Sequence, residues 1–183
     1  MKDLVEVSKK IMFKPQFSHV GLTVLRVLGI DPGNHITGYG VVEKRKSGIV
    51  HVAHGEIKVA KGTYPSSRLV KIYDDLLEVI DKSTPDVMAV EDVFYGKNIK
   101  SLIRQGEVRG IAILAGSHRC IPIYEYTPLE VKKAVVGYGR AEKNQIQNMV
   151  KAILNLSELP PADAADALAI AICHANFLKA SSI

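Results

Sequence analysis

The 183-residue chain is 47% apolar and 23% charged, the balance of a globular protein with enough length for a sizeable core and not of a fibrous or disordered one. No apolar run approaches the roughly 20 residues of a membrane-spanning helix, and Met1 to Val20 lacks the continuous apolar stretch of a secretion signal, so a cytoplasmic protein with no membrane partner is expected. The net charge of +5 and pI near 9.1 favour a polyanionic partner such as nucleic acid, provided the acidic residues gather at one place and leave the surrounding face basic.

Residues 1–22 have no clear period and carry scattered lysines, which reads as an irregular N-terminal extension; the folded unit is expected to span 23–183. The segments 23–31, 38–44 and 49–58 read as consecutive strands. Pro32-Gly33-Asn34 and Arg45-Lys46-Ser47-Gly48 join them, and links this short imply antiparallel neighbours. From Ser66 to Asp81, Leu69, Ile72, Leu76, Leu77 and Ile80 fall at helical spacing, with Ser66 or Ser67 as the expected cap. Pro85 breaks the chain, and Val87-Met88-Ala89-Val90 reads as a buried strand ending at Glu91. A helix follows from about Asn98 to Ser117, in which Gly106, Gly110, Ala112 and Ala115 predict close packing. Then come a short strand from Ile121 to Tyr126 and a helix opened by Thr127-Pro128. A helix from Lys143 to Leu154, a break at Pro160-Pro161 and a last helix from Asp163 to about Leu178 complete the pattern. Three hairpin-linked strands followed by alternating helix and strand predict an α/β fold, a five-stranded mixed sheet with helices on both faces. Cys120 and Cys173 are far apart, with no CxxC or Cys/His cluster, so two buried thiols and no zinc site are expected.

Three places put carboxylates where propensity alone would not. Asp31 ends the first strand, Glu91 ends a strand of four apolar residues, and Asp163 and Asp166 open a last helix that is almost wholly apolar thereafter. Each has an ordinary reading: a turn aspartate at Asp31, a solvent-facing strand end at Glu91, a helix cap at Asp163. Asp166 resists such a reading, because it lies a turn inside a helix that must be buried on most sides. If all three elements share the core, the four carboxylates converge, and they cannot all ionise without a counter-charge. Hard divalent cations with oxygen ligands, Mg²⁺ or Mn²⁺, supply it. Two such ions can clamp the attacking water and the leaving oxygen of a phosphodiester.

Seven segments together carry a resemblance. They are Gly29-Ile30-Asp31-Pro32-Gly33, Thr37-Gly38-Tyr39-Gly40-Val41, Pro65-Ser66-Ser67-Arg68-Leu69, Val90-Glu91-Asp92-Val93-Phe94, Val131-Lys132-Lys133-Ala134-Val135-Val136-Gly137, Ala141-Glu142-Lys143 and Asp163-Ala164-Ala165-Asp166-Ala167-Leu168-Ala169. In this order and spacing the chain from about Val24 to Ala175 resembles the RuvC-type Holliday junction resolvases, crossover junction endodeoxyribonucleases. The resemblance implies a ribonuclease H-like fold, a homodimer and Mg²⁺-dependent nicking of opposed strands of four-way junction DNA in recombination and repair, leaving 5′-phosphate and 3′-hydroxyl ends. It implies that Asp31, Glu91, Asp163 and Asp166 are the catalytic metal ligands, that Phe94 stacks on bases near the junction, that Lys132 and Lys143 lie near the scissile phosphate, and that the branch-migration proteins RuvA and RuvB are partners. Some members carry histidine at the position of Asp163. The first 22 residues have no counterpart in the family.

The same positions also read from their chemistry. Phe94-Tyr95-Gly96-Lys97-Asn98-Ile99-Lys100 follows Glu91 as a loop of aromatics, glycine and lysines, suited to base stacking by Phe94 and phosphate contact by Lys97. Lys132, Lys133, Arg140 and Lys143 form a basic group around Gly137-Tyr138-Gly139. That group lacks the GxxxxGK[ST] phosphate-loop pattern and follows no strand, which argues against ATP binding. An actin-like or sugar-kinase-like ATPase would also begin with a strand carrying Gly-x-Asp, but it needs a second domain for which this length leaves no room. A non-catalytic junction-binding protein would not need all four acidic positions filled.

Overall fold

The computed structural model describes residues 24–92, 99–139 and 141–180. The predicted N-terminal extension, the loop residues Phe94 and Lys97, and Arg140 lie outside them.

The chain runs β1 (Val24–Asp31), β2 (Ile36–Arg45), β3 (Gly48–Lys58), α1 (Pro65–Ser83), β4 (Val87–Glu91), α2 (Ile99–His118), β5 (Ile123–Tyr126), α3 (Pro128–Val136), α4 (Lys143–Ile153) and α5 (Ala162–Ala180). The strands form one sheet in the order β3-β2-β1-β4-β5. β1, β2 and β3 are antiparallel, as their short links require, and β4 and β5 add parallel to β1 and to each other.

Strand side chains alternate between faces, and this alternation builds two cores. Leu25, Val27, Val42, Val87, Ala89 and Tyr126 face α3, α4 and α5. Leu28, Ile30, Val41, Met88 and Val90 face α1 and α2. Helices therefore cover both faces. Leu168, Ile170 and Ile172 of α5 are fully buried, each contributing about 1.5–3 kcal/mol, so α5 is anchored along its length independently of its acidic first turn. Tyr126 and His174 Nδ1 are hydrogen-bonded at 2.7 Å, fixing β5 to α5. At the far end of the sheet, buried Glu43 accepts from Arg26 and Arg45, and Arg26 also donates to the Ser83 carbonyl at the end of α1.

Four local expectations are corrected. The cap of α1 is Tyr64, with Pro65 at the first helical position; Pro is preorganised for that place, which puts Ser66 and Ser67 inside the first turn. Cys120 is exposed and only Cys173 is buried, because Cys120 sits in the left-handed turn that ends α2, at φ 54°. Among the described residues, nothing beyond the local helix backbone comes within 4 Å of where a Cβ at Gly106 or Gly110 would stand. Close packing of α2 is instead made by Ala112, Ala115 and Gly116, the last against Met88. Finally, β5 begins at Ile123, since Pro122 has no N–H for the ladder and only accepts from Met88. At the cap of α3 the sequence reading holds and is incomplete: Thr127 and Glu130 form a reciprocal capping box.

Candidate active site

Three glycines bring the last helix down onto the sheet. Gly29 of β1 and Gly38 and Gly40 of β2 lie on the face that α5 covers. A Cβ at Gly29 would stand 2.1 Å from the Ala167 carbonyl oxygen, one at Gly38 1.9 Å from the Asp163 carbonyl oxygen, and one at Gly40 2.7 Å from the Leu168 nitrogen. Backbone therefore meets backbone, and no other residue type leaves that room. Gly38 is also the antiparallel partner of Asp31, so the first turn of α5 is set directly beside the end of β1.

The parallel pairing of β1 with β4 places Ile30 beside Val90, and the next residue of each strand is a carboxylate. Asp31 continues the Leu25, Val27, Gly29 series and Glu91 the Val87, Ala89 series, so alternation turns both toward α5. Asp163 and Asp166, three apart on one helix face, complete the group. All four carboxylates line one cavity of about 420 Å³, together with Lys132 of α3 and Lys143 of α4.

The electrostatics reflect this crowding. Burial, reinforced by Glu91, Asp166 and Asp163, pushes Asp31 up to about 8. Burial and then Asp166 push Glu91 up to about 7. Burial also raises Asp166, against the pull of Lys143. The Lys143 Nζ lies 3.4 Å from Asp166 Oδ2, and Asp166 raises the lysine in turn.

Among the described residues no three acidic, histidine or cysteine side chains converge on one point at ligand distance. They line one shared cavity instead. The donor set, all oxygen and all acidic, suits a hard dication and no softer metal. Partial neutralisation by two flanking lysines leaves an excess of negative charge for it.

The pattern that defines the crossover junction endodeoxyribonuclease RuvC matches residues 27–174, a stretch that contains all six of these residues. The chain is 51% identical to the crossover junction endodeoxyribonuclease RuvC of Geobacter sulfurreducens over 87% of its own length and 97% of that protein's. It is 52% identical to that of Caldanaerobacter subterraneus over 83% and 93%. It belongs to the RuvC family of crossover junction endodeoxyribonucleases. Among solved structures it resembles Thermus thermophilus RuvC in complex with Holliday junction substrate, with a TM-score of 0.80 and 33% identity over 86% of this chain and 97% of that one. The yeast mitochondrial Holliday junction resolvase Ydc2, at a TM-score of 0.62 and 16% identity, shares the fold. As a RuvC-family nuclease the chain works with a divalent metal ion.

Three polar residues of the cavity were not singled out by sequence reasoning: Asn34, Ser101 and Gln105. Asn34 lies in the turn after Asp31 and was read only as part of the link between the first two strands. Ser101 and Gln105 are four apart on α2, a spacing that marks a shared face, but nothing in the pattern said that this face meets the carboxylates.

Proposed function

We propose that this protein resolves four-way Holliday junctions in recombination and repair by paired, metal-dependent nicks in opposed strands. The observation that carries the reading is that four carboxylates, from two adjacent strand ends and one helix start, line a single cavity together with two lysines. Asp31, Glu91, Asp163 and Asp166 would hold the metal, Mg²⁺ with Mn²⁺ as a substitute, two ions per site. A bound dication supplies Lewis-acid charge and lowers the pKa of water. Water oxygen bonds to phosphorus and the bond from phosphorus to the 3′ oxygen breaks, leaving a 3′-hydroxyl and a 5′-phosphate. Lys132 and Lys143 face the charge that grows on the phosphoryl oxygens, in a recess where such charge is strongly felt. Replacing Lys143 by Ala is expected to lower the single-turnover rate about 10²-fold, the typical loss for one such cation or donor, with junction affinity reduced far less.

The direct test is a synthetic junction incubated with Mg²⁺, with Mn²⁺ and with chelator. Symmetric nicks with ligatable 5′-phosphate ends are expected with either metal, and none with chelator. Cutting that survives chelation, or that falls on linear duplex as readily as on the junction, would overturn the reading.

A homodimer, which would place two identical sites across a near-symmetric substrate, has support on α2. Ile99, Ile103 and Leu114 are 61%, 57% and 43% exposed and fall, with Gly106 and Gly110, on the side of α2 opposite buried Val108, Ala112 and Ala115. Two bare glycines four apart on such a stripe would let a second helix approach closely. Leu114→Asp is expected to shift the protein to monomer in sedimentation and to convert paired nicks into single ones. We further read 23–183 as one nuclease domain in the cytoplasm, with residues 1–22 as an extension and Lys97 as a DNA contact, from composition and local sequence pattern, and Phe94 as a DNA contact and RuvA and RuvB as branch-migration partners from the family resemblance.

A further inference from the structure

The first turns of α2 separate two cavities. Ser101 and Gln105 line the carboxylate cavity. On another side of the same turns Lys100, Ile103, Arg104 and Glu107 join Pro65 and Arg68 of α1 around a second cavity of about 200 Å³. Arg68 is only 6% exposed. Among the described residues its one ion pair, from Nη2 to Glu107 Oε2, is long at 3.4 Å, and its Nε is buried with no partner. A buried guanidinium with an unmade hydrogen bond is costly, and it is the kind of group a ligand oxygen would satisfy. Lys100 and Arg104 add two more cations against the single carboxylate of Glu107. Pro65 brings the start of α1 to the rim. That 19-residue helix has no side-chain cap and no acid in its first turn, so its positive end is uncompensated and favours an anion.

We propose that this cavity is a second phosphate subsite, taking a backbone phosphate of the same junction DNA that is cut on the other side of α2. The proposal rests on the resolvase reading. A helix with its side chains is about 10–12 Å across, and duplex DNA carries a charge every ~1.7 Å along its axis. A strand held at the carboxylates therefore brings further phosphates within reach of the second cavity. Guanidinium groups suit phosphate oxygens because their N–H groups form a planar fork.

The test measures junction binding by anisotropy in chelator, so that nothing is cut, across a salt series. Lys100→Ala/Arg104→Ala is expected to weaken binding at least tenfold and to reduce the slope of log K against log salt by about 1, the loss of one phosphate contact. Glu107→Gln, which removes the competing carboxylate, is expected to tighten binding several-fold. Arg68→Lys keeps the charge, loses the fork and should fall between the wild type and the double variant. Wild-type affinity and slope in the double variant, weaker binding by Glu107→Gln, or conversion of the double variant to monomer would each overturn the subsite. The last outcome would assign the cations to subunit contact. Wild-type protein that fails to bind junctions at all would overturn the resolvase reading itself, and the subsite with it.

Discussion

Asp31→Asn is expected to abolish junction cleavage, by about 10³-fold or more, while leaving junction binding intact and making the metal-free protein more stable. The two effects share one cause. Asp31 is held at about 8 by burial and by three neighbouring carboxylates, far above its ordinary 3.8. Below pH 4 it is protonated in folded and unfolded chains alike and costs nothing. Between pH 4 and 8 the folded state retains a proton that the unfolded state has lost, so stability falls as pH rises and levels off once the folded group has also ionised. Glu91, held at about 7, adds a second fall that ends earlier. The melting temperature of the metal-free wild type should therefore decline from about pH 5 to pH 8.5, and Mg²⁺ should flatten that decline by supplying the counter-charge and releasing the protons. Asn removes both the charge and the site. Its melting curve should be shallower in pH, unresponsive to Mg²⁺ and higher at pH 8 by an amount on the order of 2 kcal/mol. Calorimetry across pH with and without Mg²⁺, beside a gel assay of cleavage, reads both. A variant that still cuts, or that melts with the wild-type dependence on pH and metal, would remove Asp31 from the site.

The sequence showed the acidic residues because each sits against its local context: one carboxylate at the end of an apolar strand, another after four apolar residues, two at the head of an apolar helix. Alternation along β1 and β4 was equally legible, and it turns Asp31 and Glu91 to one face once the strands are known to be parallel neighbours. The parallel pairing itself follows from the helix between β3 and β4, which returns the chain for a strand beside β1. What local pattern could not supply was contact across the fold. Gly106 and Gly110 looked like packing residues and Gly38 and Gly40 like strand residues of a motif, yet only the second pair touches another backbone. A glycine's spacing in sequence does not say whether a helix or solvent faces it. The same limit hid Ser101 and Gln105, whose helix face became meaningful only when α2 was seen beside the cavity. Arg68 was visible only as a motif residue. Its burial and its unmet Nε depend on where α2 lies against α1.

Gly38→Ala is the expected counterpart to Asp31→Asn: a change that touches no catalytic group, yet should cost both stability and rate. The new Cβ would stand 1.9 Å from the Asp163 carbonyl oxygen, on backbone that cannot rotate away as a long side chain could. Either β2 bends or the first turn of α5 lifts. Overpacking of this kind costs about 1–3 kcal/mol, and the rigidity of the packing around Ala164, Ala165 and Ala167, all buried, places it at the upper end. Lifting the turn moves Asp163 and Asp166 away from Asp31 and Glu91. A displacement near 1 Å in a reacting constellation costs about 10²-fold in rate. Gly40→Ala meets α5 further along, at the Leu168 nitrogen, beyond the two aspartates. It should destabilise comparably and slow cleavage less. The pair thus separates general loss of stability from displacement of the carboxylates: equal melting shifts with unequal single-turnover rates, and a weaker Mg²⁺ response for Gly38→Ala, are the expected outcome. Equal rates in the two variants would mean that the close approach of α5 at Gly38 serves packing alone, and that the head of the helix is held in place by something other than the bare strand beneath it.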